Sequence, residues 1–332
     1  MKQTLLKILF HSGITGKLRS YKYRNKLVTI LCLHRVSNED SATFFPFKVK
    51  DFEVLLQYLN SHYQVVTIGT LHLLHTTSRP AVILSFDDGF LDFYQNALPL
   101  LKKYGMPCNL NVVTRCLDNN FQIWTQRQNN LLDEIGRQKH NFCFDLDDTK
   151  MCIDNFSKKN ILNKSLQLFS FLFTKDEDYV DEFLTAAEHR ISFTIPKTPM
   201  MSWNDLSNAL QNYDIELGSH SVSHITLSNI KKREKLLEEI AGSKKIIEER
   251  TGRQINIFAL PNGNYNEEVA KCCAEAGYRH MLTVDEKLLP LSSHTPFIIP
   301  RLLIAYENYF ENILKIENFQ NAVKNVISKI KP

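Results

Sequence analysis

No apolar run in this 332-residue chain approaches the roughly 18 to 20 residues of a spanning helix, so no transmembrane segment is expected. The longest runs, Leu27–Leu33 and Ala81–Phe86, are strand-sized. A large charge of one sign is also missing. The 40 Lys and Arg against 36 Asp and Glu leave a net charge of +4, too little to imply nucleic acid. Hydrophobic residues at 43% and charged residues at 23% are ordinary for a globular protein, which excludes disorder or a coiled coil as the main organisation. The chain carries no internal repeat and no low-complexity tract. Its length suffices for a sizeable buried core.

Acidic residues are absent before Leu27, where seven basic ones stand: Lys2, Lys7, Lys17, Arg19, Lys22, Arg24 and Lys26. A signal peptide needs an apolar core of about 7 to 15 residues, and here Lys7 and His11 interrupt it. Residues 1–26 are therefore either a basic, frayed helix or an amphipathic foot on anionic lipid, with Leu5, Leu6, Leu9 and Phe10 on one face. The seven cysteines show no repeated spacing, and adjacent Cys272 and Cys273 suit neither a zinc knuckle nor an easy disulfide. Cys32 reads as core packing. A reducing compartment fits this usage, so the expected location is cytoplasmic, peripheral on the inner membrane face.

Short apolar strands alternate with amphipathic helices over 27–118 and 200–304. That alternation argues for an α/β fold with a parallel sheet or barrel. Residues 118–200 break the rhythm. They are polar and largely helical, and read as an insertion at one end of the barrel, either a stabilising decoration or a substrate-binding cap. Residues 305–332 are expected to form a C-terminal helix.

Three strand ends carry chemistry. Ser85-Phe86-Asp87-Asp88-Gly89 closes a buried strand with two adjacent carboxylates, a costly arrangement unless a cation intervenes. A bound metal resolves it by taking one carboxylate as ligand and leaving the other as base. In Gly218-Ser219-His220-Ser221-Val222-Ser223-His224, the two histidines are spaced i, i+4, which on a helical turn puts both imidazoles on one face. Pro261-Asn262-Gly263 is a tight turn after strand 257–260. Parallel strands send these three ends to one rim, where α/β active sites assemble.

In this order the motifs resemble the polysaccharide deacetylase (NodB-homology, carbohydrate esterase family 4) family. The resemblance implies a distorted (β/α) barrel over 27–304 and a metal-dependent N-deacetylase. By it, Asp87 is the general base, and Asp88, His220 and His224 hold one divalent ion, by default Zn2+. Pro261, Asn262 and Gly263 form the oxyanion side, with the Asn262 N–H as donor. The family's arginine that pairs the base falls at Ala259, and Arg301 in Ile298-Ile299-Pro300-Arg301 is the replacement candidate. The family's C-terminal histidine motif is not evident, since His294 lies in a Ser/Thr/Pro loop.

The strand Leu31-Cys32-Leu33-His34-Arg35-Val36 supplies the alternative. It resembles the first strand of the circularly permuted poly-N-acetylglucosamine deacetylase subgroup, which implies His34 as general acid. Trp203 reads as packing, and Trp124 as a candidate for stacking on a sugar ring. The implied substrate is an N-acetylated sugar of a bacterial surface polysaccharide or its lipid-linked precursor. Hydrolysis of another small amide (a formamido sugar or a purine-degradation amide) and a non-catalytic glycan-binding relic are the alternatives.

Overall fold

The computed structural model describes residues 10, 12–71, 79–118, 121–292, 294–304 and 309–319. Its main sheet contains β1 (Leu27–Leu33), β2 (Gln64–Val65), β3 (Ala81–Phe86) and β4 (Cys108–Val112). A separate hairpin holds β5 (Phe142–Leu146) and β6 (Thr149–Ile153). The main sheet continues with β7 (Ile215–Ser219), β8 (Ile257–Ala259), β9 (His280–Thr283), β10 (Leu289–Pro290), β11 (Ile298–Pro300) and β12 (Leu302–Leu303).

Strands β1, β3, β4, β7, β8, β9 and β11 run side by side, all parallel. The chain then passes through Arg301 into β12, which pairs with β1 through Leu31↔Leu302 and Cys32↔Leu303. One continuous segment, 298–303, therefore bonds the last strand and the first. This seam makes the sheet the expected distorted (β/α) barrel, and β10 adds an antiparallel edge to β1.

Strand periodicity sorts the side chains into two shells. Leu31, Leu33, Val82, Leu84, Phe86, Leu110, Val112 and Phe258 face outward into the main core. There they meet helices such as Val49–His62, which buries Phe52, Leu55, Leu56 and Leu59 at helical spacing. Each such fully buried side chain stabilises the fold by roughly 1.5–3 kcal/mol. Val28, Ile30, Ile83, Ile257, Leu282 and Ile299 face inward and fill the floor of the barrel. Higher on the same inward face the residues turn polar: Ser85, Asn109, Asn111 and Arg301 are all fully buried. The apolar floor shuts water out from below, so the polar layer must satisfy itself from within or from the rim.

Residues 118–200 enter after β4, on the rim side. They form helices Trp124–Gln138, Lys158–Leu172 and Glu177–His189 around a core of their own that includes Leu131, Ile135, Phe144, Leu168 and Leu184. The largely helical expectation misses the hairpin β5–β6. Its signal is the period-2 burial of Phe142, Phe144 and Leu146 opposite Met151 and Ile153. Cys143 and Cys152 face each other across this hairpin and are joined by a disulfide. This pair departs from the reading of the cysteines as a set with no pairing signal, on which the expectation of a reducing compartment rests. Cys32, Cys108, Cys116, Cys272 and Cys273 are free and buried.

The basic N-terminal segment turns inward where it is described. Helix Ile14–Arg24 buries Lys22, whose ammonium pairs with Glu317 at 3.1 Å and donates to Tyr63 Oη and, at 2.9 Å, to Ile316 O. Arg19 also pairs with Glu317, at 3.2 Å, and Tyr58 donates to the same carboxylate at 2.6 Å. Phe10 packs on Tyr58, Tyr309 and Phe310, so it is a contact within the protein rather than part of a lipid-facing stripe. Leu5, Leu6 and Leu9 lie outside the described residues. So does 320–332 of the expected C-terminal helix, of which Tyr309–Ile316 is seen. Among the described residues no helix is long and apolar enough to cross a membrane.

Burial lowers the Lys22 pKa to about 8 even with Glu317 beside it. Glu317→Leu strands Lys22 and Arg19, and should cost about 3–5 kcal/mol of stability, as removal of one member of a buried pair does. Urea unfolding measures it, and a loss below about 0.5 kcal/mol, the range of an ordinary surface change, contradicts it.

Candidate active site

The C-terminal ends of β1, β3, β7 and β8 deliver His34, Asp87–Asp88, His220 and the turn 261–263 to one rim. Asp87 projects inward. Its Oδ1 accepts from Arg301 Nη1 at 2.8 Å and from Asn111 Nδ2 at 2.8 Å. Its Oδ2 accepts a longer contact from Cys32 Sγ at 3.5 Å and lies 4.0 Å from His220 Nε2. Burial alone raises a carboxyl pKa, but the Arg301 guanidinium, with His220, holds Asp87 well below the usual carboxylate range. Asp87 is thus an ionised acceptor anchored by one oxygen, with the other toward the cavity.

Arg301 is fully buried at the barrel seam, where its Nη1 also donates to Ser85 Oγ at 3.0 Å. Arg301, the candidate for the arginine absent at Ala259, therefore reaches Asp87 from the opposite side of the closure. The Ala259 carbonyl meets His220 Nδ1 at 2.8 Å, which leaves His220 Nε2 to face the cavity.

Asp88, His220 and His224 offer ligand atoms all within 4.8 Å of one another. Asp88 Oδ1 lies 3.4 Å from each Nε2 and is a buried oxygen with no hydrogen-bond partner. Burial, and then the charge of Asp87, push Asp88 well above the usual carboxylate range. Burial likewise depresses both histidines. Two imidazoles facing one orphaned carboxylate oxygen make a donor set that a divalent ion would satisfy. The donor set, two nitrogens and one carboxylate oxygen, fits zinc or another first-row metal with positions left open.

The two histidines do not share a helical turn. Residues 220–226 form an irregular loop in which Ser221 and His224 both adopt positive φ, 68° and 62°. The rings still meet, with centroids 4.9 Å apart. Buried Glu239 holds the loop, accepting from the N–H groups of Val222 and Ser223 and from Ser223 Oγ at 2.8–3.1 Å. Asp88 and Asn262 also have positive φ, 77° and 57°. Four non-glycine residues in this region of φ, at roughly 1–3 kcal/mol each, concentrate strain at the rim.

His34 ends β1 half-buried, with its ring edge-on to Phe44. Its ring nitrogen, Cys32 Sγ and an Asp87 oxygen lie within 4.8 Å of one another. Burial lowers the His34 pKa to about 4 despite the attraction of Asp87, so the imidazole is neutral near pH 7. Behind it, the buried ion pair Arg35–Asp92, at 2.7 Å, fixes the following loop. His294 is exposed and does not line the cavity.

In the 261–263 turn, the Gly263 N–H is spent on Leu260 O at 3.1 Å. Gly263 has φ +70°, and a Cβ there would meet the Val284 side chain at 3.1 Å, so any other residue is strained at this position. Asn262 and Gly263 line the cavity, while Pro261 is buried and does not.

Trp124 is not brought to the site. It stacks on Phe169 at 5.4 Å inside the core of the insertion and lines a neighbouring depression rather than the cavity over Asp87 and Asp88. Its position at the start of an amphipathic helix is what buries it. Trp203 packs as expected, its Nε1 donating to Asp118 at 2.7 Å.

Sequence reasoning misses Asn109 and Asn111. Their signal is an i, i+2 pair of asparagines in the otherwise apolar Cys108–Val112, which puts both on the inward face. Asn111 links Asp87, Ser85 and Asn109. It fits only because residue 218 is glycine, since a Cβ at Gly218 would lie 2.1 Å from Asn111 Oδ1. Gly218→Ala should therefore displace Asn111 and cost about 1–3 kcal/mol, as overpacking does. Thermal unfolding checks this, and an unchanged midpoint counts against the contact.

The cavity over these residues is about 420 Å³, within the range of roughly 300–1,000 Å³ for small-molecule sites. The sequence pattern described as polysaccharide deacetylase matches residues 75–144 and 174–281, more than half of the chain. The chain is 23% identical over 261 residues to the Bacillus subtilis (strain 168) protein named "Putative polysaccharide deacetylase YxkH". That match covers 77% of this chain and 64% of the relative, so the chain spans less than two thirds of its length.

Among solved structures, the Streptococcus pyogenes deacetylase PplD in complex with acetate is similar, with a TM-score of 0.57 and 15% identity, covering 88% of this chain and 98% of that one. IcaB from Ammonifex degensii gives 0.57 and 15%, covering 88% and 97%. A de-N-acetylase from Aggregatibacter actinomycetemcomitans gives 0.56 and 16%, covering 87% and 99%. These likenesses concern the fold.

Proposed function

Because the chain belongs to the polysaccharide deacetylase family, we propose that it is a metal-dependent N-deacetylase. Its substrate in this reading is the acetamido group of an N-acetylated sugar in a bacterial surface polysaccharide or its lipid-linked precursor. The observation that carries the reading is the orphaned Asp88 Oδ1 between two imidazole nitrogens, beside an Asp87 kept ionised by Arg301.

Asp88, His220 and His224 hold the divalent ion, zinc in the first instance. When bound, such an ion polarises the amide carbonyl and lowers the pKa of a coordinated water. Asp87, through Oδ2, takes the proton of the attacking water. The backbone N–H of Asn262 donates to the oxygen that gains charge. His34, neutral at rest and close to Asp87, receives the proton and delivers it to the nitrogen as the C–N bond breaks. Acetic acid and a free amine leave, to become acetate and ammonium in solution, and Asp87 and His34 return to their starting states.

The test is mass spectrometry of a panel of acetamido glycans and lipid-linked sugars after incubation with the metal-loaded protein. Loss of one acetyl group from at least one of them is the expected result. A panel that stays fully acetylated, with acetate absent from solution, overturns the reading.

A further inference from the structure

The cavity that holds Asp87, Asp88, His220 and His224 is not lined like a site for sugars alone. One wall comes from the insertion, where helix Lys158–Leu172 contributes Leu162, Leu166 and Phe169. Phe44 and Phe45, from the loop after His34, also line it. The insertion also brings Thr125, Gln126 and Asn129 to the cavity as partners for sugar hydroxyls, but the stretch of leucines and phenylalanines offers none. Leu166 adds an independent observation. It is 56% exposed, one of four exposed large hydrophobic residues among those described, and it stands in the wall of this cavity. The same helix buries Ile161, Leu168 and Leu172 against the core of the insertion, so Leu166 is not needed to hold the helix down.

We infer that the substrate carries an alkyl chain next to its acetamido sugar, and that Leu162, Leu166 and Phe169, with Phe44 and Phe45, bind that chain. The inference rests on the deacetylase reading and narrows it to an amphipathic glycoside. The cavity volume, in the lower half of the small-molecule range, accommodates one sugar and the start of a chain. The insertion thereby becomes a specificity element. Its helix selects the aglycone, while the barrel rim acts on the acetamido group.

The test compares the octyl and methyl β-glycosides of N-acetylglucosamine, below the micelle concentration of the octyl compound. Binding is read by calorimetry on the zinc-loaded protein, and acetate release is read in parallel. The octyl glycoside should bind about 30-fold more tightly, the effect of burying two or three methylenes. Octyl β-glucoside, which lacks the acetamido group, should bind more weakly than the octyl N-acetylglucosaminide. Leu166→Asp should bring the octyl-to-methyl ratio to within about threefold, while Leu166→Met retains the preference.

Equal binding of the two glycosides overturns the inference. So does a preference that survives Leu166→Asp. Acetate release from the methyl glycoside without any octyl preference removes the alkyl subsite and leaves the deacetylase reading intact. An octyl preference that Leu166→Asp abolishes, with no acetate released from either glycoside, upholds the subsite and counts against deacetylation.

Discussion

Asp87→Asn is expected to lower turnover by about 10²- to 10⁴-fold, the usual contribution of a general base, with metal content near that of the unaltered protein. The change keeps the shape of the side chain and removes its charge. It also leaves Arg301 buried beside a neutral group, since Arg301 Nη1 and Asp87 Oδ1 form a 2.8 Å pair with almost no solvent contact. Removing one member of such a pair costs about 3–5 kcal/mol, whereas removing both can be nearly neutral. Arg301→Met alone should be destabilising by a similar amount.

The double variant Asp87→Asn, Arg301→Met should recover much of that stability and none of the turnover. Denaturant unfolding and acetate release on all three variants separate the two effects. Stability losses that simply add would show that the pair is not coupled.

The second large effect concerns Asp88. Its Oδ1 is the oxygen shared by both imidazoles, so Asp88→Asn should lower divalent-metal affinity by well over about 100-fold, more than the loss typical of residues that only orient a ligand. Elemental analysis after stripping and reloading measures it. His220→Ala should behave alike. If Asp87→Asn loses metal as fully as Asp88→Asn, the division of roles between the adjacent carboxylates is wrong.

The parts of the site legible in the sequence are those where a costly residue ends an apolar strand. Asp87 and Asp88 follow the buried run Ala81–Phe86, and a charged pair there demands a cation. Arg301 is legible for a related reason: it interrupts Ile298–Leu303, and position 259 holds alanine. His34 is legible from the apolar strand Leu27–Leu33 that precedes it.

What the sequence conceals depends on tertiary context. The helical spacing of His220 and His224 is right about their meeting and wrong about the backbone. Positive φ at Ser221 and His224 and the buried Glu239 are set by packing between distant segments. Asn111 needs an empty Cβ position at Gly218, a contact between two strands that spacing cannot reveal. Trp124 is a further case: a large aromatic in a polar stretch, it packs in a local core and not in the rim cavity, and only tertiary context separates the two. The hairpin that joins Cys143 to Cys152 is hidden by the polar residues that alternate with its buried ones.

Metal-dependent deacetylation is the central claim, and acetate release before and after metal removal tests it most directly. Protein stripped with a chelator and incubated with the N-acetylated panel should release no acetate above background. One equivalent of zinc or another first-row divalent ion per chain should restore release in unaltered protein and fail to do so in Asp88→Asn. Undiminished acetate release from fully stripped protein would contradict the account.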